Sequence, residues 1–150
     1  MAVCTFFGHR DTPERIEPFL RTVLTDLIEN RCVDMFYVGD TGRFDTTVRK
    51  TLKALLLEYP HIHYAVVLAY LPCKSDLPVE EYADTVYPAE LENVPLRYAI
   101  PRRNRWMLDK ADIVVTYVQH LGGGAAQCKE LAEKKGKIIF NIAEMSLEQK

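Results

Sequence analysis

The sequence of 150 residues contains no apolar run that approaches the roughly 20 residues of a membrane-spanning helix. Its four cysteines are scattered without a CxxC spacing, which argues against a zinc ribbon and favours reduced thiols in the core. The first residues become polar too early for a signal peptide, so we expect a cytoplasmic protein with no membrane contact. A basic excess is also missing, because 19 Lys and Arg stand against 21 Asp and Glu. Dedicated nucleic-acid binders usually carry such an excess, so the charge balance argues against a nucleic-acid partner, although it leaves room for a local basic patch.

The length and composition predict one domain over residues 1–150. Apolar residues make up 48% of the sequence, which is ordinary for a globular protein. A chain of this length buries roughly 70% of the surface that its unfolded form exposes, so its core needs neither disulfides nor a metal ion. His61 and His63 would share one face of a strand, but no third ligand has suitable spacing. We expect no metal site and no cofactor.

Hydrophobic spacing predicts five strands that alternate with helices. The strands are short, nearly continuous apolar runs at residues 2–7, 33–38, 62–71, 112–118 and 138–142. Apolar side chains at intervals of three and four predict the helices between them. Several prolines interrupt residues 72–100, where we expect a long crossover with a short helix near residues 79–83. This alternation predicts a single α/β domain of three layers, Rossmann-like, with a mostly parallel five-stranded sheet.

Three short polar loops that contain glycine are predicted at the carboxyl edge of this sheet. They cover residues 8–11, 39–45 and 119–124, and each opens a helix. In open α/β sheets the ligand binds at this edge, where the strand order reverses. Helix N-termini offer unpaired N–H groups and partial positive charge, and glycine allows a ligand to approach the backbone. The loops therefore predict an anion site, most often one for phosphate.

Arginines accompany the predicted helix starts, where the helix dipole disfavours a cation. They are Arg10, Arg43, Arg102, Arg103 and Arg105. A bound polyanion would reverse that cost, and the planar guanidinium group suits phosphate. The alternative is that these arginines are solvated and pair with nearby acids such as Asp11 and Asp45. The sequence has neither a GxxxxGK[ST] phosphate-binding loop nor a GxGxxG dinucleotide motif.

Four segments, taken in this order, resemble the SLOG superfamily. They are Gly8-His9-Arg10, Gly39 with Gly42-Arg43-Phe44-Asp45, Arg103-Asn104-Arg105-Trp106-Met107 and Gly122-Gly123-Gly124. This superfamily includes the LOG phosphoribohydrolases and the Rossmann domain of the DNA processing protein A family. The resemblance covers essentially the whole chain and is nearest to small bacterial and phage-borne members. It implies a Rossmann-like fold that binds a nucleotide or a nucleotide-derived ligand.

We therefore expect the chain to bind a nucleotide-derived small molecule of ADP-ribose type through its phosphates. It would act as a sensor or sequestering protein, and we expect a homo-oligomer. The residues predicted to bind the ligand are Gly8, His9, Arg10, Gly39, Asp40, Gly42, Arg43, Phe44, Asp45, Arg103, Asn104, Arg105, Gly122, Gly123 and Gly124.

Two alternative functions stay open. The first is hydrolysis of a nucleotide N-glycosidic bond, with Glu130, Asp45 and His9 as candidate catalytic residues. LOG enzymes carry P-G-G-x-G-T-x-x-E after the fourth strand, and Glu130 matches the final Glu in only one of two registers. The second is single-stranded DNA binding, by analogy with DNA processing protein A.

Individual residues also have two interpretations each. Asp45 either caps the second helix or accepts a hydrogen bond from a ribose hydroxyl. His9 either has a functional role, as a phosphate contact or a proton donor, or is a structural histidine that is hydrogen-bonded within its own loop. Trp106 either stacks on a base or packs in the core.

Overall fold

The structure is a computed structural model that describes residues 2–70, 85–120 and 122–144. Within these ranges the strands are β1 (Ala2–Gly8), β2 (Val33–Val38), β3 (His63–Val67), β4 (Thr85–Val86), β5 (Ile113–Tyr117) and β6 (Ile138–Asn141). The α-helices are α1 (Glu17–Asn30), α2 (Gly42–Glu58), α3 (Ala99–Lys110) and α4 (Gly124–Lys134). Short 3-10 turns cover Glu14–Ile16, Ala89–Asn93 and Leu96–Tyr98. The helix predicted near residues 79–83 lies outside the described residues.

The strands form one sheet in the order β4-β3-β2-β1-β5-β6, and every pair is parallel. This confirms the predicted α/β class and the Rossmann-like architecture. The strand count differs, because β4 adds a sixth strand to the predicted five. Among the described residues, two of β4 pair with β3, and a run of two has no periodicity that a sequence pattern can reveal.

The order reverses at β1, which lies between β2 and β5. The register places Cys4 opposite Phe36 on one side and opposite Ile113 on the other. From β1 the chain builds outward through β2 and β3, and it later returns to the far side of β1 with β5. A crevice therefore opens between the carboxyl ends of β1 and β5.

Alternate residues of β1 face the two helical layers, as the pleat of a strand requires. Phe6 joins a buried cluster with the apolar stripes of α1 and α2, which include Leu24 and Leu52. Phe7 faces the opposite way and packs with Met107 of α3 and Ala132 of α4. The sheet is thus covered on both faces. No helix among the described residues is long and apolar enough to cross a membrane.

The cysteines differ in their exposure. Cys4 is buried in the core, as predicted, and Cys128 is half-buried. Cys32 is exposed, because it occupies the turn before β2 with a φ of 57°. Cys73 lies outside the described residues.

Candidate functional site

A cleft of about 500 Å³ lies beyond the carboxyl ends of β1 and β5. Its walls come from the loop after β1, the start of α2, one side of α3 and the start of α4. The lining includes His9, Arg10, Asp45, Arg103 and Gly124. The volume is within the usual range for small-molecule sites, about 300–1,000 Å³. The structure therefore brings residues from all four sequence segments into one concave site, although the second segment contributes Asp45 alone.

His9 joins the loop after β1 to the loop after β5. Its Nε2 accepts a hydrogen bond from the backbone N–H of Gln119 at 3.0 Å, and its ring stacks on His120 with a centroid separation of 3.9 Å. Burial lowers the pKa of His9, and the neighbouring His120 lowers it further. Because the acceptor nitrogen must stay unprotonated, His9 is a neutral residue that holds the cleft wall. Its role toward a ligand stays a prediction.

Asp45 is buried in the first turn of α2. Its carboxylate accepts a hydrogen bond at 3.0 Å from the backbone N–H of Thr41, the residue that precedes this helix. Burial raises the pKa of Asp45 to about 6, and the guanidinium of Arg103 opposes that rise. A Cβ at Gly39 would lie 2.7 Å from the Asp45 carboxylate and 3.0 Å from the Arg103 guanidinium carbon. Gly39 thus leaves room for both charged groups.

Arg103 is 2% exposed and holds three elements together. Its Nη1 donates to the Asp40 carboxylate at 2.9 Å and to the Val67 carbonyl at 3.1 Å. Its Nε donates to the Asn104 side chain at 2.9 Å. These bonds fasten α3 to the carboxyl ends of β2 and β3. Arg103 lines the cleft, but its guanidinium group already donates these three hydrogen bonds within the protein.

Three other arginines of the predicted site differ from Arg103 in their exposure. Arg10, Arg43 and Arg105 are exposed, and none has a side-chain hydrogen bond or ion pair in the described part of the chain. Arg10 lines the cleft, and Arg43 lines a groove next to it. Arg105 lines neither the cleft nor that groove. Arg10 is therefore the cation of this set that is most available to an anion in the cleft.

The start of α4 supplies backbone donors. Gly123 has a φ of +95°, which disfavours other residues, and it precedes the helix without any side-chain cap. Gly123 and Gly124 line the cleft, whereas Gly122 is exposed outside it. The first N–H groups of an uncapped helix are an anion-binding element.

Three residues predicted to bind ligand take part in close packing. Phe44 is fully buried in the core, and a Cβ at Gly8 would lie 2.2 Å from its ring. Gly42 has a φ of +88°, and a Cβ there would lie 2.8 Å from the Cα of Arg10. Phe44 is thus a correction to the predicted contacts, because its side chain is sealed below the cleft. Gly8 borders the cleft through its backbone.

The candidate catalytic residues do not converge. His9 and Asp45 line the cleft, but Glu130 is exposed on α4 and does not. Trp106 is half-buried and packs edge-on against Tyr37, with a centroid separation of 5.2 Å.

His120 and Thr41 also line the cleft, although the sequence analysis did not name them as ligand-binding residues. Both residues lie in polar, glycine-containing loops that the sequence predicts at the carboxyl edge of the sheet. Their position in these loops was the feature that could have identified them.

The pH dependence of stability tests the buried carboxyl group. Asp45 has a pKa of about 6 in the fold and 3.8 as its ordinary value, so the folded chain binds more protons between these values. Its contribution to stability is therefore full below about pH 3.8 and is lost as the pH rises through 6. Relative to the Asp45→Asn variant, the wild type should lose about 2 kcal/mol between about pH 4 and 7.5. Urea unfolding of both proteins across this range measures the difference, and parallel curves would contradict it.

A six-stranded parallel sheet with a cleft at its reversal point defines a Rossmann-like α/β domain. Neither a protein-family model nor a curated protein matches the sequence. Among solved structures, DNA processing protein A (DprA) from Streptococcus pneumoniae is similar, with a TM-score of 0.69 and 16% identity. That match covers 94% of this chain and 50% of the other, so this chain spans half the length of that relative.

A second similar structure is DNA processing protein A from Helicobacter pylori, described for its single-stranded DNA binding mode. Its TM-score is 0.68 at 15% identity, over 99% of this chain and 72% of the other. At such identities the likeness shows the fold, and it confirms the fold implied by the SLOG resemblance.

The expectation that nucleic acid is not a partner is wrong in the light of these comparisons. It rested on the net charge of −2, yet a protein with the same fold has a single-stranded DNA binding mode. Net charge averages over the whole surface, whereas a strand contacts only the charges along its path. Balanced composition therefore does not argue against such a partner.

Proposed function

We propose that the chain binds single-stranded DNA, with phosphate groups held in the cleft at the carboxyl ends of β1 and β5. The observation that carries this proposal is the pairing of a free cation with uncapped backbone donors in one cleft. Arg10 lines it from the loop after β1, and Gly123 and Gly124 line it at the start of α4. The likeness to the H. pylori protein supports DNA as the source of the phosphates.

The chemistry of the cleft suits phosphate better than base recognition. An arginine and helix N–H groups both donate hydrogen bonds to phosphate oxygens. Contacts to phosphate oxygens fix the position of a strand and carry no direct information about its base sequence. His9 is neutral and already accepts a hydrogen bond, so it adds no cation. We therefore expect binding that depends on salt and varies little with base sequence.

A nucleotide-derived small molecule is the second candidate ligand. The cleft volume of about 500 Å³ favours it, because this volume is enough for a ligand of that size. The same phosphate contacts would hold it. Hydrolysis of such a ligand has less support, since Glu130 does not line the cleft.

Replacement of Arg10 tests the cleft directly. Fluorescence anisotropy would follow a labelled oligothymidylate of about 20 nucleotides, which is longer than a typical single-domain site. Loss of one phosphate contact should weaken binding about tenfold in the Arg10→Gln variant at low salt. It should also reduce the slope of log K against log salt by about 0.7. Lys134→Gln is the matched control, because Lys134 is exposed in the last turn of α4, away from the cleft.

The outcomes separate the two ligands. Tight oligothymidylate binding that weakens in Arg10→Gln and not in Lys134→Gln supports the DNA proposal. Equal affinity for the oligonucleotide and for free thymidine monophosphate would overturn it in favour of a nucleotide-sized ligand. If the Arg10→Gln variant binds oligothymidylate as tightly as the wild type, the DNA binds elsewhere on the surface and the cleft proposal is wrong.

A further inference from the structure

A groove of about 520 Å³ lies beside the cleft and shares Arg10 with it. One wall is the turn that contains Glu14 and the start of α1 at Glu17, and the other is the first part of α2, with Arg43 and Lys50. We call this feature the basic groove. Because Arg10 lines both features, a ligand chain that leaves the cleft past Arg10 enters the basic groove directly.

The available charges in the basic groove are mainly positive. Arg10, Arg43 and Lys50 are exposed and have no side-chain partner within the described ranges. Glu17 is bonded to Arg21 at 2.9 Å, which offsets its charge. Glu14 is then the remaining carboxylate that faces the groove. Three unpaired cations against one such carboxylate make a local anion-attracting surface on a chain whose net charge is −2.

Arg43 and Lys50 lie along α2, and Arg10 adjoins the start of that helix. Lys50 follows Arg43 by about two turns of α2, so the two side chains share one face and are separated by about 10 Å along the helix axis. Arg10 continues the series toward the cleft. A single phosphate at Arg10 and Arg43 does not reach Lys50, which lies two turns further along α2, whereas a polyanion can contact all three cations.

The junction between cleft and groove is fixed by the backbone. The N–H of Arg43 donates to the carbonyl of Arg10 at 2.9 Å. Gly42, at a φ of +88°, brings the two segments into contact, because a Cβ there would lie 2.8 Å from the Cα of Arg10. Arg10 and Arg43 are therefore held side by side, which keeps the two features continuous.

We propose that the basic groove carries the phosphate backbone of a polynucleotide onward from the cleft, so that the site takes a strand of several nucleotides. This inference rests on the proposed function and adds the path that the strand takes beyond the cleft. Arg10 holds the phosphate at the junction, and Arg43 and Lys50 hold separate phosphates further along α2.

A length series of oligothymidylates tests the inference. Affinities of mono-, di-, tetra- and octathymidylate would be measured for the wild type, Arg43→Gln/Lys50→Gln and Lys134→Gln. We expect the wild-type affinity to rise with length, and the double variant to lose that gain while it binds the mononucleotide normally. For octathymidylate the salt slope of the double variant should fall by about 1.4, or 0.7 per cation. Glu14→Gln should strengthen octathymidylate binding, since it removes a repelling carboxylate.

The possible failures are distinct. If octathymidylate binds and the double variant matches Lys134→Gln in affinity and salt slope, the groove inference is overturned while the cleft proposal stands. If no oligonucleotide binds the wild type, the cleft proposal and the groove inference are both wrong. Weaker binding after Glu14→Gln would also contradict the inference, because it would show that the carboxylate attracts the ligand.

Discussion

Gly8→Ala should destabilise the fold by about 3 kcal/mol, the upper part of the usual range for an overpacked core. The added Cβ would lie 2.2 Å from Cγ and 2.4 Å from Cδ2 of the Phe44 ring. That ring is fully buried and part of the core between the sheet and α2, so it has no free space to enter. Urea unfolding at constant pH measures the loss.

The matched control is Gly122→Ala. A Cβ at Gly122 meets no atom within 4 Å, so this variant should stay within about 0.5 kcal/mol of the wild type. Phe44→Leu combined with Gly8→Ala should recover part of the lost stability, because the smaller side chain relieves the contact. If the two substitutions are additive, the contact with Phe44 is not the cause.

Arg103→Met should cost about 3 kcal/mol at neutral pH. The substitution removes a buried cation, and it leaves the Asp40 carboxylate and the Val67 carbonyl without its hydrogen bonds. Removal of one partner of a buried ion pair typically costs about 3–5 kcal/mol. The Asp40 side chain retains 21% of its exposure, and we place the cost at the lower end for that reason. Thermal and urea unfolding both report it.

The size of this loss should depend on pH. Without Arg103, Asp45 loses the cation that opposes the rise of its pKa, so the ionised carboxylate becomes still less favourable in the fold. The cost of Arg103→Met should therefore be smaller at about pH 5 than at pH 7.5. Arg105→Met is the control, because Arg105 is exposed and unpaired in the described part of the chain. A pH-independent cost would show that Asp45 does not sense Arg103.

The sequence was sufficient to predict the sheet and the edge where the candidate site lies. Strands such as residues 33–38 and 113–117 are apolar runs with few competing interpretations, and the glycine loops after them follow from the same pattern. The roles of single residues were harder to predict. Arg103 and Arg10 have the same side chain and similar positions near helix starts, but one is buried in an ion pair and the other is exposed.

Long-range contacts explain that difference. The partners of Arg103 include Asp40 and Val67, which are distant in sequence and meet it only after the sheet has formed. Gly8 and Phe44 match a family motif, and their contact is a packing relation that no spacing rule exposes. The strand β4 escaped prediction because two residues carry no pattern. Tertiary contacts decide these features.

The central position of β1 has a consequence for how the chain folds as it is synthesised. The ribosome releases β1 long before β5, yet Cys4 of β1 pairs with Ile113 of β5. Until β5 emerges, one edge of β1 stays open, and an unpaired apolar edge attracts other chains. High contact order of this kind also slows folding. The reversal of strand order creates the cleft, and it also leaves one edge of β1 unpaired during synthesis. This edge is protected from other chains only once β5 has been made.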